Sequence, residues 1–127
     1  MHTSRGAAFG DVNGDGGIDI VVVNRDAQAY LLMNQNLGGG GFVSLQLRTT
    51  FDAPAQDAVV RFILGGIQMR REARTSGGYC SAHDPTVHIG VGSETAISEV
   101  EITWSDGSKQ LIGDVKAGEV RTIHQGK

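Results

Sequence analysis

Five residues near the start of the chain carry oxygen ligands at a spacing suited to a hard cation. They supply three carboxylates, one side-chain amide and one backbone carbonyl, from Asp11, Asn13, Asp15, Gly17 and Asp19. Alternate residues of a tightly wound loop can direct their oxygens at one ion, and a glycine at Gly16 permits the sharp bend. The spacing therefore predicts a calcium site in this loop, with Ca²⁺ as the cofactor.

The kind of cation follows from the charge and number of the ligands. Three carboxylates held close together repel one another, and a divalent ion removes that repulsion, so we expect metal binding to be coupled to folding. Magnesium prefers a water-rich octahedral shell and fits less well. An EF-hand would need a glutamate where Val22 stands and helices on both sides, and is excluded. An ordinary Asp/Asn/Gly turn that carries its charges in water is the alternative.

The segments around the loop have the pattern of β-strands. Residues 7–10 lead into the loop, and the β-branched run at residues 18–24 leaves it. A further apolar stretch at residues 29–33 is followed by a run of glycines, which are costly to order. We therefore predict a strand–loop–strand unit over residues 1–36, a glycine linker over residues 37–41 and a second domain over residues 42–127.

The second domain has strand periodicity throughout. Val43, Leu45 and Leu47 alternate with polar residues, as expected when one strand face meets a core. Gly65-Gly66 predicts a tight hairpin, and Asp106-Gly107 is a further hairpin signal. Trp104 falls in phase with other apolar residues of its strand and is predicted to be core. Because no useful helical periodicity occurs, the expected class is all-β, an antiparallel β-sandwich or barrel-like domain preceded by a partial propeller-blade hairpin.

Composition limits the classes of function. The 127 residues include 14 acidic and 11 basic side chains, a net charge of −3 that gives no electrostatic reason to expect nucleic acid or an anionic membrane as a partner. The single cysteine, Cys80, excludes an intramolecular disulfide. The first ten residues contain no apolar run of signal-peptide length, and no segment is long enough to span a membrane.

Two stretches resemble known families. Residues 5–24, RGAAFGDVNGDGGIDIVVVN, resemble an FG-GAP (VCBS-type) repeat, whose calcium-binding loop joins strands of a propeller blade. Residues 42–125 resemble the ASPIC/UnbV domain, with matching motifs at QMRREART, HIGVG, VEITWSDG and DVKAG. The resemblance implies a β-rich accessory domain with calcium-dependent adhesion or carbohydrate-related roles, outside the cell or in the periplasm. It supplies no catalytic residues.

Other clusters of polar residues favour simpler interpretations. The segment from Tyr79 to His88 holds several reactive side chains, but nucleophile and base are defined by geometry rather than by proximity in sequence, so a hydrolase is a minor hypothesis. Cys80, His83 and His88 lack the ligand spacing of a zinc site. Arg70, Glu72 and Arg74 are predicted to share a solvated strand face.

The expected function is a non-catalytic calcium-binding β-module that mediates protein interaction or adhesion. The alternative is a carbohydrate-binding module attached to an enzyme or surface protein, with Tyr79 or Trp104 available to stack on a sugar. The expected partner is a protein or a glycan, and exposed strand edges could support a homo-oligomer.

Overall fold

The protein is a chain of ten β-strands in a computed structural model that describes residues 3–35 and 38–127. No helix occurs in those ranges, which confirms the all-β prediction. The strands are β1 (Ser4–Gly10), β2 (Asp19–Asn24), β3 (Tyr30–Leu32), β4 (Gly41–Arg48), β5 (Val59–Leu64), β6 (Ile67–Glu72), β7 (Val87–Gly92), β8 (Ala96–Thr103), β9 (Lys109–Lys116) and β10 (Val120–His124).

The chain divides into two compact units. The described part of the first unit comprises residues 3–35 and Arg74–Asp84, and the second comprises Gly38–Ala73 and Pro85–Lys127. The sequence-based division assigned all of residues 42–127 to the second domain, so it did not anticipate that Arg74–Asp84 packs within the first unit. Residues 1, 2, 36 and 37, which include the ends of the predicted first domain and the start of the linker, lie outside the described residues.

The first unit is an antiparallel sheet in the order β1-β2-β3. The segment Arg74–Asp84 lies against β1. A Cβ added at Gly6 would come within 3.1 Å of the Cys80 carbonyl oxygen, so this close approach requires glycine. The backbone N–H of Phe9 donates a hydrogen bond of 3.1 Å to His83 Nδ1, and the centroids of the Phe9 and His83 rings are 5.0 Å apart. One edge of the sheet is thereby tied to a segment that follows it by more than 60 residues.

The second unit is a β-sandwich of two open sheets, with strand orders β10-β4-β7 and β6-β5-β8-β9. Both sheets contribute to one hydrophobic core, whose largest fully buried side chains include Phe62, Leu45, Ile89, Ile97 and Ile102. Because neither sheet closes on itself, the sandwich form of the prediction is confirmed and the barrel-like form is not. One pair departs from the expected antiparallel pattern: β10 runs parallel to β4, from Val120 opposite Ser44 to His124 opposite Arg48.

The local turn and core predictions in this unit are confirmed. Gly65 and Gly66 have φ angles of 56° and 78°, the left-handed values that a two-residue hairpin needs. Trp104 is only 3% exposed, and its indole N–H donates to Gln110 Oε1 at 3.1 Å. The indole is thus both packed and hydrogen-bonded, as buried tryptophan usually is.

The glycine run does more than link two elements. Gly41, the last residue of the predicted linker, is already the first residue of β4. A Cβ added there would lie 3.0 Å from Val91 Cγ2 and 3.3 Å from Ala117 Cβ, closer than ordinary packing permits. Glycine at this position therefore serves core packing, and the linker ends before it.

The turn between β8 and β9 contains an aspartate with a lowered pKa. Asp106 Oδ1 accepts hydrogen bonds from the Ser108 hydroxyl at 2.6 Å and the Ser108 backbone N–H at 2.9 Å, and both hold the pKa of Asp106 below its ordinary value. The interaction stabilises the fold above the ordinary aspartate pKa, and this stabilisation is lost as pH falls through the lowered one.

We expect Ser108→Ala to raise the pKa of Asp106, because the hydroxyl is the largest cause of the shift. A pH titration of the Asp106 carboxyl ¹³C resonance measures the change. Ser93→Ala, an equivalent change in the exposed turn between β7 and β8, is the control and should leave this pKa unaltered. An unchanged pKa in the Ser108 variant would contradict the assignment.

Candidate functional site

The acidic loop connects β1 to β2, as the strand–loop–strand prediction requires. Gly10 and Asp19 are paired residues of the two strands, so the strand ends hold the two ends of the loop together. Asp11 follows β1 directly, and Asp19 is the first residue of β2. The hairpin thus brings the first and last predicted ligands to the same end of the sheet.

Asp19 is the buried anchor of the loop, with 1% of its surface exposed. Its Oδ2 accepts a hydrogen bond from the backbone N–H of Val12 at 2.9 Å, and its Oδ1 accepts one from the backbone N–H of Asn34 at 2.8 Å. A buried carboxylate is tolerated only when such donors compensate its lost hydration. Asp19 therefore fastens the loop to the chain that follows β3.

Asp11 organises the backbone of the loop. Its Oδ1 accepts from the N–H groups of Gly14 at 2.7 Å and Asp15 at 3.1 Å, and its Oδ2 accepts from that of Gly16 at 2.9 Å. Gly14 and Gly16 have φ angles of 75° and 84°, values that glycine adopts without steric cost. The chain consequently winds around the Asp11 carboxylate, with Gly16 at the expected bend.

The three middle ligands of the predicted set are linked to one another. Asn13 Nδ2 donates to Asp15 Oδ2 at 2.8 Å, and the N–H of Gly17 donates to Asp15 Oδ1 at 2.8 Å. Both bonds lower the pKa of Asp15, and the bond from Gly17 has the larger effect. A Cβ at Gly17 would meet Asp15 Oδ1 at 3.0 Å and Asn34 Cβ at 3.3 Å, so a larger residue there would require these side chains to shift.

The donor chemistry of the loop fits a hard cation, although its carboxylates do not yet converge. An ionised carboxylate has about four lone-pair sites. Among the described residues Asp15 and Asp19 each use two of them and Asp11 uses three, so each retains capacity for a further ligand. Within residues 3–35 and 38–127, no group of three or more His, Cys, Asp or Glu side chains is placed to hold a metal.

Sequence reasoning missed the contribution of Asn34. Its backbone N–H is one of the two donors to Asp19, and its side chain lies against Gly17. The available signal was a polar Asn-Gln-Asn run directly after the apolar stretch of β3. The distance of 15 residues between Asn34 and Asp19 concealed the connection.

The reactive side chains between Tyr79 and His88 are divided between the two units. His83 accepts from Phe9 in the first unit, whereas His88 on β7 lies 3.2 Å from Ser44 Oγ and stacks on Phe42 in the second. Cys80 is an exposed free thiol. These histidines have separate structural roles, and the described residues contain no three-residue metal group that includes them.

The predicted charged strand face is shorter than expected. Arg70 and Glu72 lie on β6 and form an exposed ion pair of 3.2 Å. The strand ends at Glu72, and Arg74 belongs to the first unit, so Arg74 is not part of that face. The reason is that the chain leaves the sheet to form the segment packed against β1.

Fold and loop together define a class: an all-β chain in which a strand–loop–strand unit with an acidic loop accompanies a two-sheet sandwich. The sequence profile described as "ASPIC and UnbV" matches residues 48–127, more than half of the chain. The chain belongs to the ASPIC/UnbV family, which confirms that part of the resemblance. The resemblance of residues 5–24 to an FG-GAP repeat stays a prediction.

Three similar curated proteins share one name, cartilage acidic protein 1. The human protein is 30% identical over 122 residues, which are 93% of this chain and 18% of the relative. The mouse protein is 31% identical over 123 residues, covering 93% of this chain and 19% of the relative, and that of Xenopus tropicalis is 30% identical over 123 residues. The chain thus spans less than a fifth of the length of these relatives. No helix in its described ranges could cross a membrane.

Proposed function

We propose that the chain is a non-catalytic calcium-binding β-module that mediates protein interaction or adhesion within a larger extracellular or periplasmic protein. The observation that carries the proposal is the Asp11–Asp19 loop, whose buried Asp19 ties a set of oxygen donors to the end of a sheet. The relatives are named for cartilage, a tissue made largely of extracellular matrix, and this name supports the location.

Each residue of the loop would have its own role in the site. Asp19 holds the loop ends and Asp11 orders the loop backbone. The side chains of Asp15 and Asn13 are exposed, and their hydrogen bonds within the loop would have to rearrange to admit an ion. A bound Ca²⁺ would neutralise the carboxylates and would be held by Asp11, Asn13, Asp15, Gly17 and Asp19. Binding would stiffen the connection between β1 and β2.

The exposed apolar run formed by β3 and the residue after it supports a role in interaction. Tyr30, Leu31, Leu32 and Met33 are 44%, 51%, 54% and 42% exposed. β3 is the terminal strand of its sheet, and exposed apolar strands at sheet edges are sites where other chains pair. A protein partner or a second copy of the chain would fit this edge, whereas the net charge of −3 favours neither nucleic acid nor an anionic membrane.

We expect calcium to raise the stability of the first unit. At a calcium concentration ten times the dissociation constant, binding to the folded state alone adds about 1.4 kcal/mol. For a site with a dissociation constant of about 0.1–1 mM, 10 mM calcium is sufficient. Amide hydrogen exchange in β1 and β2, with and without calcium, measures the gain unit by unit.

Asp15→Asn is the informative variant for this experiment. It keeps an oxygen that can accept from Gly17 but removes a formal charge, so the calcium response should fall while stability without calcium changes little. Magnesium at the same concentration should protect less. Equal protection by both ions, or no protection by calcium in the parent chain, would refute the proposed site.

The carbohydrate-binding alternative retains one of its two aromatic candidates. Trp104 is buried and its N–H is already bonded, so it does not offer a face to a sugar. Tyr79 is 74% exposed and remains available. A glycan array probed in calcium, in which no saccharide is bound, would eliminate this alternative.

A further inference from the structure

The outer face of the sheet β6-β5-β8-β9 contains a cleft that includes no residue of the Asp11–Asp19 loop. Its volume is about 330 Å³, within the range of small-ligand pockets. The cleft lies wholly in the second unit and is lined by Arg61, Ile63, Gln68, Glu99, Glu101 and Leu111.

Two of the charged lining residues turn their head groups away from Glu99. Arg61 Nη1 donates to Thr103 Oγ1 at 3.2 Å, and Glu101 Oε1 pairs with Lys109 Nζ at 3.2 Å. Thr103 and Lys109 are partners in the register and lie two residues beyond Glu101 along β8, in the direction opposite to Glu99. Arg61 and Glu101 therefore present their aliphatic stems to the Glu99 end of the cleft.

Glu99 is the carboxylate left unengaged in the cleft. Its side chain makes no hydrogen bond or ion pair with other described residues, while its backbone N–H donates to Asp114 Oδ1 at 3.3 Å. Its φ angle is 51°, a left-handed conformation that is uncommon for glutamate, and the register of β8 shifts on both sides of Val100. A bulge of this kind re-aims a side chain on the sheet surface.

The remaining walls of the cleft are apolar or uncharged. Leu111 on β9 is 74% exposed and lies opposite Glu101, and Ile63 on β5 lies opposite Gln68. Gln68 adds an amide oxygen that can accept hydrogen bonds. At its Glu99 end the cleft thus combines apolar sides with one unpaired carboxylate and one neutral acceptor, a complement to a cation on an apolar stem, while the Arg61 guanidinium is held away from Glu99 by Thr103.

We propose that this cleft binds an arginine side chain presented by a partner protein. The guanidinium would pair with the Glu99 carboxylate and the Gln68 amide oxygen, and its stem would pack on Leu111 and Ile63. The planar fork of arginine matches a carboxylate in two places at once, which the point charge of lysine does not. This inference rests on the interaction role proposed above for its biological meaning, but it does not depend on calcium.

The test is an NMR titration of the ¹⁵N-labelled full chain in EDTA with the peptide acetyl-Gly-Arg-Gly-amide. We expect shifts of the amides of Ile63, Gln68, Glu99 and Leu111, and binding at least fivefold tighter than that of the same peptide with neutral citrulline in place of arginine. Because calcium is absent, failure here leaves the calcium proposal standing, and failure of the calcium experiment leaves this one standing.

Two variants at Glu99 separate binding from folding. Glu99→Gln should weaken the arginine peptide at least fivefold. Glu99→Gly should weaken it equally while raising the midpoint of thermal unfolding, because glycine tolerates the left-handed φ. Asp52→Asn, a charge-matched change outside the cleft, should leave binding unchanged. Equal binding of the citrulline peptide, unchanged affinity in both Glu99 variants, or shifts elsewhere alone would overturn the proposal.

Discussion

Asp19→Ala is expected to lower the free energy of unfolding of the first unit by about 2–3 kcal/mol, because it removes the acceptor of two backbone N–H groups at once. The Val12 and Asn34 donors both point at this carboxylate, which is 1% exposed. Without it the loop loses its attachment to the chain after β3. Amide hydrogen exchange of Val12, Asn34 and the β2 residues measures the loss directly.

Asp15→Ala provides the matched comparison for Asp19. Asp15 is exposed and its bonds stay within the loop, so its removal should cost less than about 1 kcal/mol. Asp19→Asn should fall between the two, since one amide oxygen can still accept. If the Asp15 and Asp19 alanine variants were destabilised equally, Asp19 would not be the anchor.

Phe62→Ala is expected to destabilise the second unit by about 3–5 kcal/mol, the usual loss when a buried aromatic side chain is truncated. Phe62 is 1% exposed and belongs to the core shared by both sheets of the sandwich. Trp104, the single tryptophan of the chain, lies in the same core and makes fluorescence during urea unfolding a reporter of this unit.

Phe51→Ala is the control for this prediction. Phe51 is 92% exposed, so the same chemical change should alter stability by no more than about 0.5 kcal/mol. The urea midpoint of the Phe62 variant should fall while that of the Phe51 variant remains near the parent value. Similar urea midpoints for the two variants would show that burial of Phe62 does not stabilise the second unit.

The features predicted correctly from sequence depend on local chemistry. The Gly65-Gly66 hairpin follows from backbone angles that glycine alone adopts easily, and the buried position of Trp104 follows from the period of two along its strand. The loop between β1 and β2 was likewise evident, because its carboxylates and glycines stand within nine consecutive residues. In each case the determining residues are close neighbours in the chain.

The features that sequence could not give depend on distant contacts. The parallel pairing of β10 with β4 joins residues that are 76 apart, and no local pattern encodes the direction of such a pair. The bulge at Glu99 sits in a segment whose alternating pattern reads as a regular strand. The oxygen-bearing residues of the acidic loop are evident from residue type, whereas the backbone N–H groups that donate to their carboxylates are evident only from the structure.

The path of the chain between the two units has a consequence for how the protein can be divided. The chain passes into the second unit after the first, returns to the first for Arg74–Asp84, and enters the second again at Pro85. After a cut at the glycine run, the C-terminal fragment would contain the segment Arg74–Asp84, whose His83 accepts a hydrogen bond from Phe9. The N-terminal fragment would contain β1 without that partner. Because the chain crosses between the two units three times, no single cut separates one intact unit from the other.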